Sequence, residues 1–374
     1  MIVVEVLFWA SLAAILWTHF GYPVAAALLA RVRTRHVRKA DVTPSVTIII
    51  PAHDEEGVIG ARLDNLLALD YPHAQLEIVV ASDASTDGTD AIVEGYVKHD
   101  PRIRLLPLPR GGKLAALNRS VSESTRDVVA FSDANSRWEH DALRKLVRNL
   151  ADDDVSYVCG KLRLERPDGT NREGAYWRYE LWLRESESRL GSITGGNGAI
   201  YAVRRADYVS HRFGQDLGLP DAMVKQGKRA VYEPDAVASE KPPVNVEEEY
   251  RRKVRMFPWA WQHMFKGRML VGVGPLYLFE LISHRVLRYA SGLLHVVLLA
   301  TSIGLASHGL VYAVVLAGQL LWLALAALGR LRIGIPGTGL AYYYFLVTWA
   351  TIAALVSYLR FGVSPHWERV EGAR

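Results

Sequence analysis

Clusters of acidic and small polar residues follow several short apolar runs in the middle of this 374-residue chain. Carboxylate oxygens bind hard cations such as Mg2+ or Mn2+, so these clusters could serve a site that takes both a polar nucleotide and a cation. The same residue types also form turns and helix N-caps, so each cluster taken alone has a simpler interpretation. The clusters are Asp54, Glu55 and Glu56; Asp83, Ser85, Asp87 and Gly88; and Asp133 with Asn135.

The apolar runs that precede these clusters have the composition of β-strands and alternate with stretches of helical periodicity. This alternation predicts a largely parallel sheet covered by helices, in which ligands bind at the carboxyl ends of the strands. The acidic clusters would therefore line that edge. The predicted strands are Val46 to Ile50, Leu76 to Ala81, Ile103 to Pro107, Asp127 to Ser132 and Val155 to Gly160, and the predicted helices are residues 56 to 69, 88 to 98, 113 to 123 and 139 to 150.

The N-terminal region is apolar enough to cross a membrane. Residues 3 to 32 form an almost uncharged run that is long enough to span a hydrocarbon core of about 30 Å. A cleaved signal peptide is the alternative, but it carries basic residues ahead of its apolar stretch, and here Glu5 is the only charged side chain at the start of the run. Basic residues follow from Arg31 to Lys39, so the positive-inside rule predicts an external N-terminus and a cytoplasmic central region.

Three further apolar runs lie near the C-terminus. Arg330 and Arg332 separate the last two, and they fall on the cytoplasmic side if the chain crosses the membrane four times. The predicted organisation is a transmembrane helix with its basic flank (1–40), a cytoplasmic catalytic domain (41–262), an interfacial amphipathic segment (263–288), three transmembrane helices at 289–306, 309–329 and 338–359 within 289–360, and a tail (361–374).

Composition excludes several classes of protein. The single cysteine, Cys159, excludes an internal disulfide and a cysteine-based metal site, in agreement with a reducing compartment. The net charge of +5 is modest and the basic residues lie beside apolar runs, which favours membrane lipids over nucleic acid as their partner. A transporter would need ionisable residues within its spans, and apart from His19 and His295 the proposed spans lack them.

Motifs between residues 44 and 262 resemble the membrane-bound branch of the family 2 glycosyltransferases, which includes hyaluronan, chitin, cellulose and poly-N-acetylglucosamine synthases. Pro51 to Glu56 is similar to the family's Pro-Ala-x-Asn-Glu-Glu, Ser82 to Thr89 to its nucleotide-binding segment, and Gly112 to Asn118 to its Gly-Lys-x-x-Ala-Leu-Asn. The resemblance implies an α/β protein of the GT-A type that takes a UDP-sugar and Mg2+ or Mn2+. The donor-binding residues that it implies are Pro51, Ala52, Asp54, Glu55, Asp83, Asp87, Lys113 and Asp133, and the metal ligands are Asp133 and Asn135, where Asn135 replaces the second Asp of an Asp-x-Asp motif.

The resemblance also indicates where an acceptor would bind. Thr194 to Tyr201 is similar to the family's glycine-rich acceptor wall, where small residues let a sugar approach the backbone; a turn before a strand is the alternative. An inverting transfer needs a general base for the acceptor hydroxyl proton. The family register selects Asp216 for this role, with Asp221 as second choice and a helix N-cap as the alternative role of Asp216. The implied acceptor-binding residues are Gly195, Gly196, Asn197, Gly198 and Trp259.

Arg251 to Met256 falls where the processive enzymes of the family carry Gln-x-x-Arg-Trp. Arg252 and Arg255 would bind the donor diphosphate, because guanidinium groups bind phosphates through two parallel hydrogen bonds. Basic residues facing lipid headgroups are the alternative. Met256 replaces the family's Trp, and Trp259 offers a substitute ring.

The resulting expectation is a multi-pass plasma-membrane enzyme. It would transfer a sugar from a UDP-sugar, with inversion, to a growing polysaccharide or lipid-linked glycan at the cytoplasmic face. Polymer synthesis and single-sugar addition both stay open, and export would require a homo-oligomer or a partner because four spans are few for a channel. A non-catalytic membrane scaffold is the alternative. It is favoured by Asn135, Gln215 and Met256 and opposed by Asp83, Asp133 and Asp216.

Overall fold

A computed structural model describes residues 1–165, 174–210, 213–242 and 245–364. These residues form two compact units. The first unit comprises residues 26–242 and 267–277, and the second comprises residues 1–25, 245–266 and 278–363.

Helices and strands alternate along the first unit, and helices alone form the second. The helices are α1 (Ile2–Val32), α2 (Ile59–Leu67), α3 (Thr89–Val97), α4 (Lys113–Glu123), α5 (Ala142–Val147), α6 (Ala175–Leu190), α7 (Gln215–Lys225), α8 (Val246–Lys266), α9 (Pro275–Tyr289), α10 (Ser291–Leu305), α11 (Leu310–Arg330) and α12 (Thr338–Phe361). The strands are β1 (Val46–Ala52), β2 (Leu76–Asp83), β3 (Ile103–Leu108), β4 (Val128–Phe131), β5 (Arg137–Trp138), β6 (Val155–Leu164), β7 (Tyr201–Arg204) and β8 (Arg229–Glu240).

One mixed sheet runs through the first unit, in the order β3-β2-β1-β4-β7-β6-β8-β5. The pairs β1–β2, β2–β3, β1–β4 and β6–β8 are parallel, and β7 and β5 run antiparallel to their neighbours. The predicted α/β class is confirmed. The five predicted strands correspond to β1, β2, β3, β4 and β6, whereas β5, β7 and β8 were not among the predicted runs.

Helices cover both faces of the sheet because side chains of consecutive strand residues point to opposite faces. Ile48 and Ile50 of β1 join a core with apolar residues of α2, α3 and α5, and Ile49 joins a second core with residues of α4, α6 and α7. Burial on both faces explains why the central strands read as continuous apolar runs. Because β1 pairs in parallel with both β2 and β4, the carboxyl ends of these three strands lie at one edge of the sheet.

Long apolar helices characterise the second unit. By length and composition α1, α11 and α12 can each cross a membrane. Helix α10 has 15 residues, about 22 Å at 1.5 Å per residue, which is short of a hydrocarbon core. It qualifies as a span only together with α9, from which it is bent by 64°. The predicted N-terminal span and the last two C-terminal spans thus appear as single helices.

Candidate functional site

The loops after β1 and β2 hold each other through side-chain contacts to the backbone. Asp54 accepts hydrogen bonds from the Thr86 amide at 2.7 Å and the Thr86 hydroxyl at 3.2 Å, and the Glu55 amide donates to Thr89 Oγ1 at 2.7 Å. Asp87 accepts from the amides of Glu56 and Thr89. Burial raises the pKa of Asp87, but these hydrogen bonds outweigh it and lower that pKa overall.

This interlocking is turn chemistry, as the simpler interpretation of the Ser85 to Gly88 segment predicts. Asp54 lies at φ 54°, a left-handed conformation that Asp tolerates better than most residues. Pro51 and Ala52 are the buried last residues of β1. Direct contact of Asp54, Glu55 or Asp87 with a donor nucleotide therefore stays a prediction.

Asp83, the last residue of β2, organises the loop before α4. Its side chain is 1% exposed and accepts hydrogen bonds from the amides of Gly111, at 2.6 Å, and Gly112, at 2.9 Å, while Arg110 forms an ion pair with it at 3.2 Å. Gly112 adopts φ 86° and ψ 165°, a conformation that residues with a side chain rarely adopt. The next residue, Lys113, begins α4. Contact of Asp83 with the donor nucleotide stays a prediction.

Lys113 and Asp133 meet in an ion pair across the carboxyl edge of the sheet. Burial lowers the pKa of Lys113, but the carboxylates of Asp133, Asp216 and Glu240 outweigh it and raise that pKa overall, so this amine stays charged at neutral pH. The predicted site residues Lys113 of α4, Asp133 after β4 and Asp216 of α7 therefore interact electrostatically.

Gly198 touches this group directly. A Cβ added at Gly198 would lie 3.1 Å from Asp133 Oδ2, 3.1 Å from Gln215 Nε2 and 3.2 Å from Lys113 Nζ. The predicted donor-binding pair and the predicted acceptor wall thus meet at this glycine. Lack of a side chain is what keeps the space open.

Asp216 lies in the first turn of α7, whose N-cap is Gly214. The N-cap role considered for Asp216 therefore does not hold. The Asp216 carbonyl accepts a hydrogen bond from the Gly196 amide at 2.7 Å, which connects α7 to the glycine-rich segment. The second choice, Asp221, is 2% exposed and ion-paired with Lys225 at 2.6 Å one turn later.

The glycine-rich segment combines close packing with an internally satisfied asparagine. A Cβ at Gly196 would lie 2.0 Å from the Tyr157 hydroxyl, so a side chain there would displace a buried tyrosine. Asn197 donates to the Gly160 carbonyl at 2.9 Å and accepts from the amides of Ala199 and Ile200 at 3.1 Å. Gly195 is buried beside them. Asn197 therefore shapes the segment, and its contact with an acceptor stays a prediction.

Arg252, Arg255 and Trp259 lie on α8, in the second unit. Arg252 forms a two-pronged ion pair with Glu249, at 2.7 and 3.0 Å, and Lys253 reaches the same carboxylate at 3.1 Å. Burial raises the pKa of Glu249, but both cations outweigh it and lower that pKa to about 2. The donor role of the arginines and the acceptor role of Trp259 stay predictions.

Arg62, Ser136 and Glu240, which the sequence did not single out, lie beside the predicted site. The Ser136 amide donates to the Asp133 carbonyl, and Arg62 and Glu240 interact electrostatically with Asp133 and Lys113, respectively. The Tyr201 hydroxyl donates to Gln215 Oε1 at 3.1 Å, the Ser136 hydroxyl donates to Glu240, and Arg62 donates to Ser132 at 2.7 Å. Arg62 left a sequence signal, because it follows Ile59 by three residues and precedes Leu66 by four, on the buried face of α2. Glu240 carried none, since β8 was not predicted.

The model of the family described as glycosyl transferase family 2 matches residues 47–213. This range contains the loops after β1, β2 and β4, the ion pair of Lys113 with Asp133, and the glycine-rich segment. The chain carries a family 2 glycosyltransferase domain.

Curated relatives match part of the chain at moderate identity. The N-acetylglucosaminyltransferase of Rhizobium meliloti (strain 1021) is 26% identical over 292 residues, which is 69% of this chain and 67% of that protein. The beta-monoglucosyldiacylglycerol synthase of Synechocystis sp. (strain ATCC 27184 / PCC 6803 / Kazusa) is 29% identical over 178 residues, covering 44% of this chain and 36% of that protein. Similarity to the second relative is thus confined to part of its length.

A solved structure matches nearly the whole chain. The mannosyltransferase PcManGT from Pyrobaculum calidifontis, in complex with GDP-Man and Mn2+, superimposes with a TM-score of 0.71 at 25% identity, covering 94% of this chain and 99% of that protein. The predicted GT-A fold with transmembrane helices is confirmed.

The residues at the carboxyl edge fit a divalent metal. Asp133 is 30% exposed, and together with the Asn135 amide oxygen it offers the hard oxygen donors that Mg2+ and Mn2+ prefer. Among the residues that the structure describes, His, Cys, Asp and Glu do not gather in threes as a metal cage. Asp133 and Asn135 would hold such a cation by two oxygen atoms, and the phosphates of a bound nucleotide would supply further oxygen ligands of the kind that it prefers.

Proposed function

We propose that this chain is an inverting, metal-dependent glycosyltransferase that transfers a sugar from a UDP-sugar to a growing polysaccharide or lipid-linked glycan at the cytoplasmic face of the plasma membrane. The observation that carries the proposal is the meeting of Lys113, Asp133 and Gln215 at Gly198. A donor diphosphate held by Lys113, and through a metal by Asp133, would present its sugar to the glycine-rich segment. Three apolar helices long enough to span a membrane support the location.

In the proposed mechanism Asp216 is the general base. It takes the proton of the acceptor hydroxyl while that oxygen forms a bond to the anomeric carbon, and the bond from that carbon to the diphosphate breaks with inversion. A metal held by Asp133 and Asn135 would neutralise charge on the departing diphosphate. Lys113, which stays protonated at neutral pH, would add a second positive charge there. Asp83, Asp54 and Asp87 would shape the nucleoside pocket.

Donor choice is tested with a panel that reflects the relatives. UDP-N-acetylglucosamine and UDP-glucose correspond to the sugars in the names of the two curated relatives, and GDP-mannose is the ligand of the neighbouring structure. We expect the full chain, in detergent with Mg2+ or Mn2+, to release nucleotide from a UDP-sugar when a glycan or lipid-linked acceptor is present. Product sizing then separates polymer synthesis from single addition.

The base is tested by Asp216→Asn, which keeps the shape of the side chain and removes its basicity. A general base contributes about 100-fold to 10,000-fold, so we expect kcat to fall at least about 100-fold while the donor KM changes little. Asp153→Asn, at a side chain 93% exposed, is the matched control and should retain full activity. Equal activity of Asp216→Asn would remove Asp216 as base and make Asp221→Asn the next variant.

Release from no donor by the wild-type chain, with every acceptor and both metals supplied, would contradict the transferase proposal. The result would instead support a membrane scaffold that keeps the fold without catalysis. Release from GDP-mannose alone would keep the transferase and replace the UDP-sugar as its donor.

A further inference from the structure

Helix α2 places a cation inside the first unit. Arg62 is 2% exposed, and Ile59, Leu63 and Leu66 share its buried face of the helix. Burying a guanidinium is costly unless its hydrogen bonds and charge are satisfied. A long apolar side chain would fill the same position at a lower cost in free energy. The contacts of Arg62 therefore indicate what its charge and hydrogen bonds do in the fold.

Those contacts reach the two ends of the segment that carries Asp133 and Asn135. Arg62 Nη2 donates to Ser132 Oγ at 2.7 Å, just before Asp133, and the guanidinium lies over the Trp138 ring, 5.2 Å from its centroid. Such a cation–π contact with Trp is favourable, particularly where the cation is shielded from water. One side chain thus fixes both flanks of residues 133–137.

Asn65, one turn further along α2, strengthens the same connection. It accepts a hydrogen bond from Arg62, accepts another from the Trp138 amide at 2.9 Å, and donates to the Trp138 carbonyl at 2.9 Å. The Ser132 hydroxyl also donates to the Asp133 carbonyl at 3.1 Å. We call Arg62, Asn65, Ser132 and Trp138 the Arg62 clamp.

The charge of Arg62 matters as well as its shape. Burial lowers the pKa of Arg62 to about 9, and the carboxylates of Asp133 and Glu240 oppose that effect. Arg62 therefore carries its charge at neutral pH, close to the proposed metal ligand. A cation in this position repels a divalent metal, whereas a clamp that orders the metal's ligands favours binding. Repulsion lowers the affinity for the metal and ordering of the ligands raises it. The change in metal affinity when Arg62 is replaced therefore shows which effect is larger.

We propose that the Arg62 clamp holds segment 132–138 in the shape that presents Asp133 and Asn135 together to a divalent metal on the donor nucleotide. Arg62 is then a positioning residue, acting through Ser132 and Trp138. The inference rests on the metal-dependent donor site of the proposed function. Its physical basis is that metal ligands bind well only when their own supporting contacts hold their geometry.

The test measures Mn2+ binding directly, without turnover. Free Mn2+ is followed by electron paramagnetic resonance as it is titrated into the full chain in detergent with UDP, and again with GDP. Loss of supporting contacts typically costs about 10-fold to 100-fold in metal affinity, so we expect Arg62→Gln and Arg62→Lys to weaken Mn2+ binding about 10-fold. Ser132→Ala leaves every charge in place and removes the two hydrogen bonds of the Ser132 hydroxyl, so it should weaken Mn2+ binding by a smaller factor, about 3-fold.

Asp64→Asn is the matched control. Asp64 is an exposed neighbour on α2 whose carboxylate accepts from Tyr96 at 2.8 Å, away from the clamp. We expect its Mn2+ affinity to equal that of the wild type. Thermal unfolding of each variant checks the fold. If Arg62→Gln does not fold, the Mn2+ affinities of Arg62→Lys and Ser132→Ala test the inference.

Two results overturn the inference. Tighter or unchanged Mn2+ binding in Arg62→Gln and Ser132→Ala would mean that the clamp does not order the metal ligands. Absence of nucleotide-dependent Mn2+ binding by the wild type would remove the metal that the clamp is proposed to serve, while sugar release without metal would still support the transferase. Normal Mn2+ binding without any sugar release would contradict the proposed function and leave the clamp supported by its own titration.

Discussion

At the scale of single residues, Gly198 decides whether the donor and acceptor sides of the proposed site can meet. The space beside its Cα is bounded by Lys113, Asp133 and Gln215, all within 3.2 Å of an added Cβ. Contacts of 3.0 to 3.4 Å at a Cβ are tighter than proteins normally adopt, so these three side chains would have to shift. Since Lys113 and Asp133 are ion-paired, shifting one disturbs the other.

Gly198→Ala should therefore reduce catalysis more than stability. Crowding a packed site costs about 1 to 3 kcal/mol, so kcat/KM for the donor should fall about 10-fold or more. The matched control is Gly191→Ala, where an added Cβ meets nothing within 4 Å. Steady-state kinetics and thermal unfolding of both variants provide the measurement. A kcat/KM equal to that of the control would show that the space beside Gly198 is not used.

At the scale of elements, a buried carboxylate connects three segments of the first unit. Glu233 of β8 is 0% exposed and pairs with Lys39, before β1, at 2.8 Å and with Arg148, after α5, at 3.0 Å. Asn149 donates to it at 2.8 Å. Burial raises the pKa of Glu233, but these partners outweigh it and lower that pKa overall.

Glu233→Gln should destabilise the fold, because it keeps the volume but leaves two cations without their buried partner. We expect about 3 kcal/mol at pH 7. Since the folded pKa of Glu233 is lowered, its contribution is present above the ordinary value of 4.5 and is lost as the pH falls toward the folded pKa. In urea unfolding, the difference in free energy of unfolding between the wild type and Glu233→Gln should thus become smaller below about pH 4.5.

Asp235→Asn is the control for that experiment. Asp235 also pairs with Arg148, at 2.7 Å, but its side chain is 60% exposed. Exposed pairs contribute about 0 to 1 kcal/mol, so this variant should remain close to the wild type. Equal destabilisation by the two variants, at every pH, would contradict the assignment of the effect to the buried carboxylate.

At the scale of the whole molecule, the number of membrane crossings determines which residues face the cytoplasm. Helices α1, α11 and α12 qualify alone, and the bent pair of α9 and α10 adds a fourth crossing if it acts as one span. Arg330 and Arg332 favour four crossings, since basic residues concentrate in cytoplasmic loops. With a cytoplasmic first unit, four crossings place residue 307 outside and residue 332 inside, and three crossings reverse both.

Ser307→Cys and Arg332→Cys therefore test the topology. Both positions are exposed, and Cys159 is 0% exposed, so the wild type gives a low background. In intact cells we expect a membrane-impermeant maleimide to label Cys at 307 and leave Cys at 332 unlabelled until the membrane is broken. The exposed Ser122→Cys, in the first unit, should behave like 332. The opposite pattern at 307 and 332 would establish three crossings.

The sequence by itself determined the parts that depend on local pattern. Buried strands such as β1 and long apolar helices such as α1 are legible because burial and membrane thickness select residue type over a continuous stretch. Asp54, Asp83 and Asp133 were found for a related reason, since parallel strands bring their carboxyl ends to one edge. The Lys113 prediction rested on family resemblance, and the structure places it beside Asp133.

Tertiary structure alone decided the contacts that join distant segments. The Arg62 clamp connects residues about 70 positions apart, and Glu240 lies 104 positions from Ser136. Neither pairing has a local signature, because it depends on how β8 inserts beside β6 and β5 and how α2 lies on the sheet. For Asp87 and Asn197 the sequence offered both loop geometry and ligand binding without choosing between them, since an acid or amide near a strand end can serve either a ligand or the backbone.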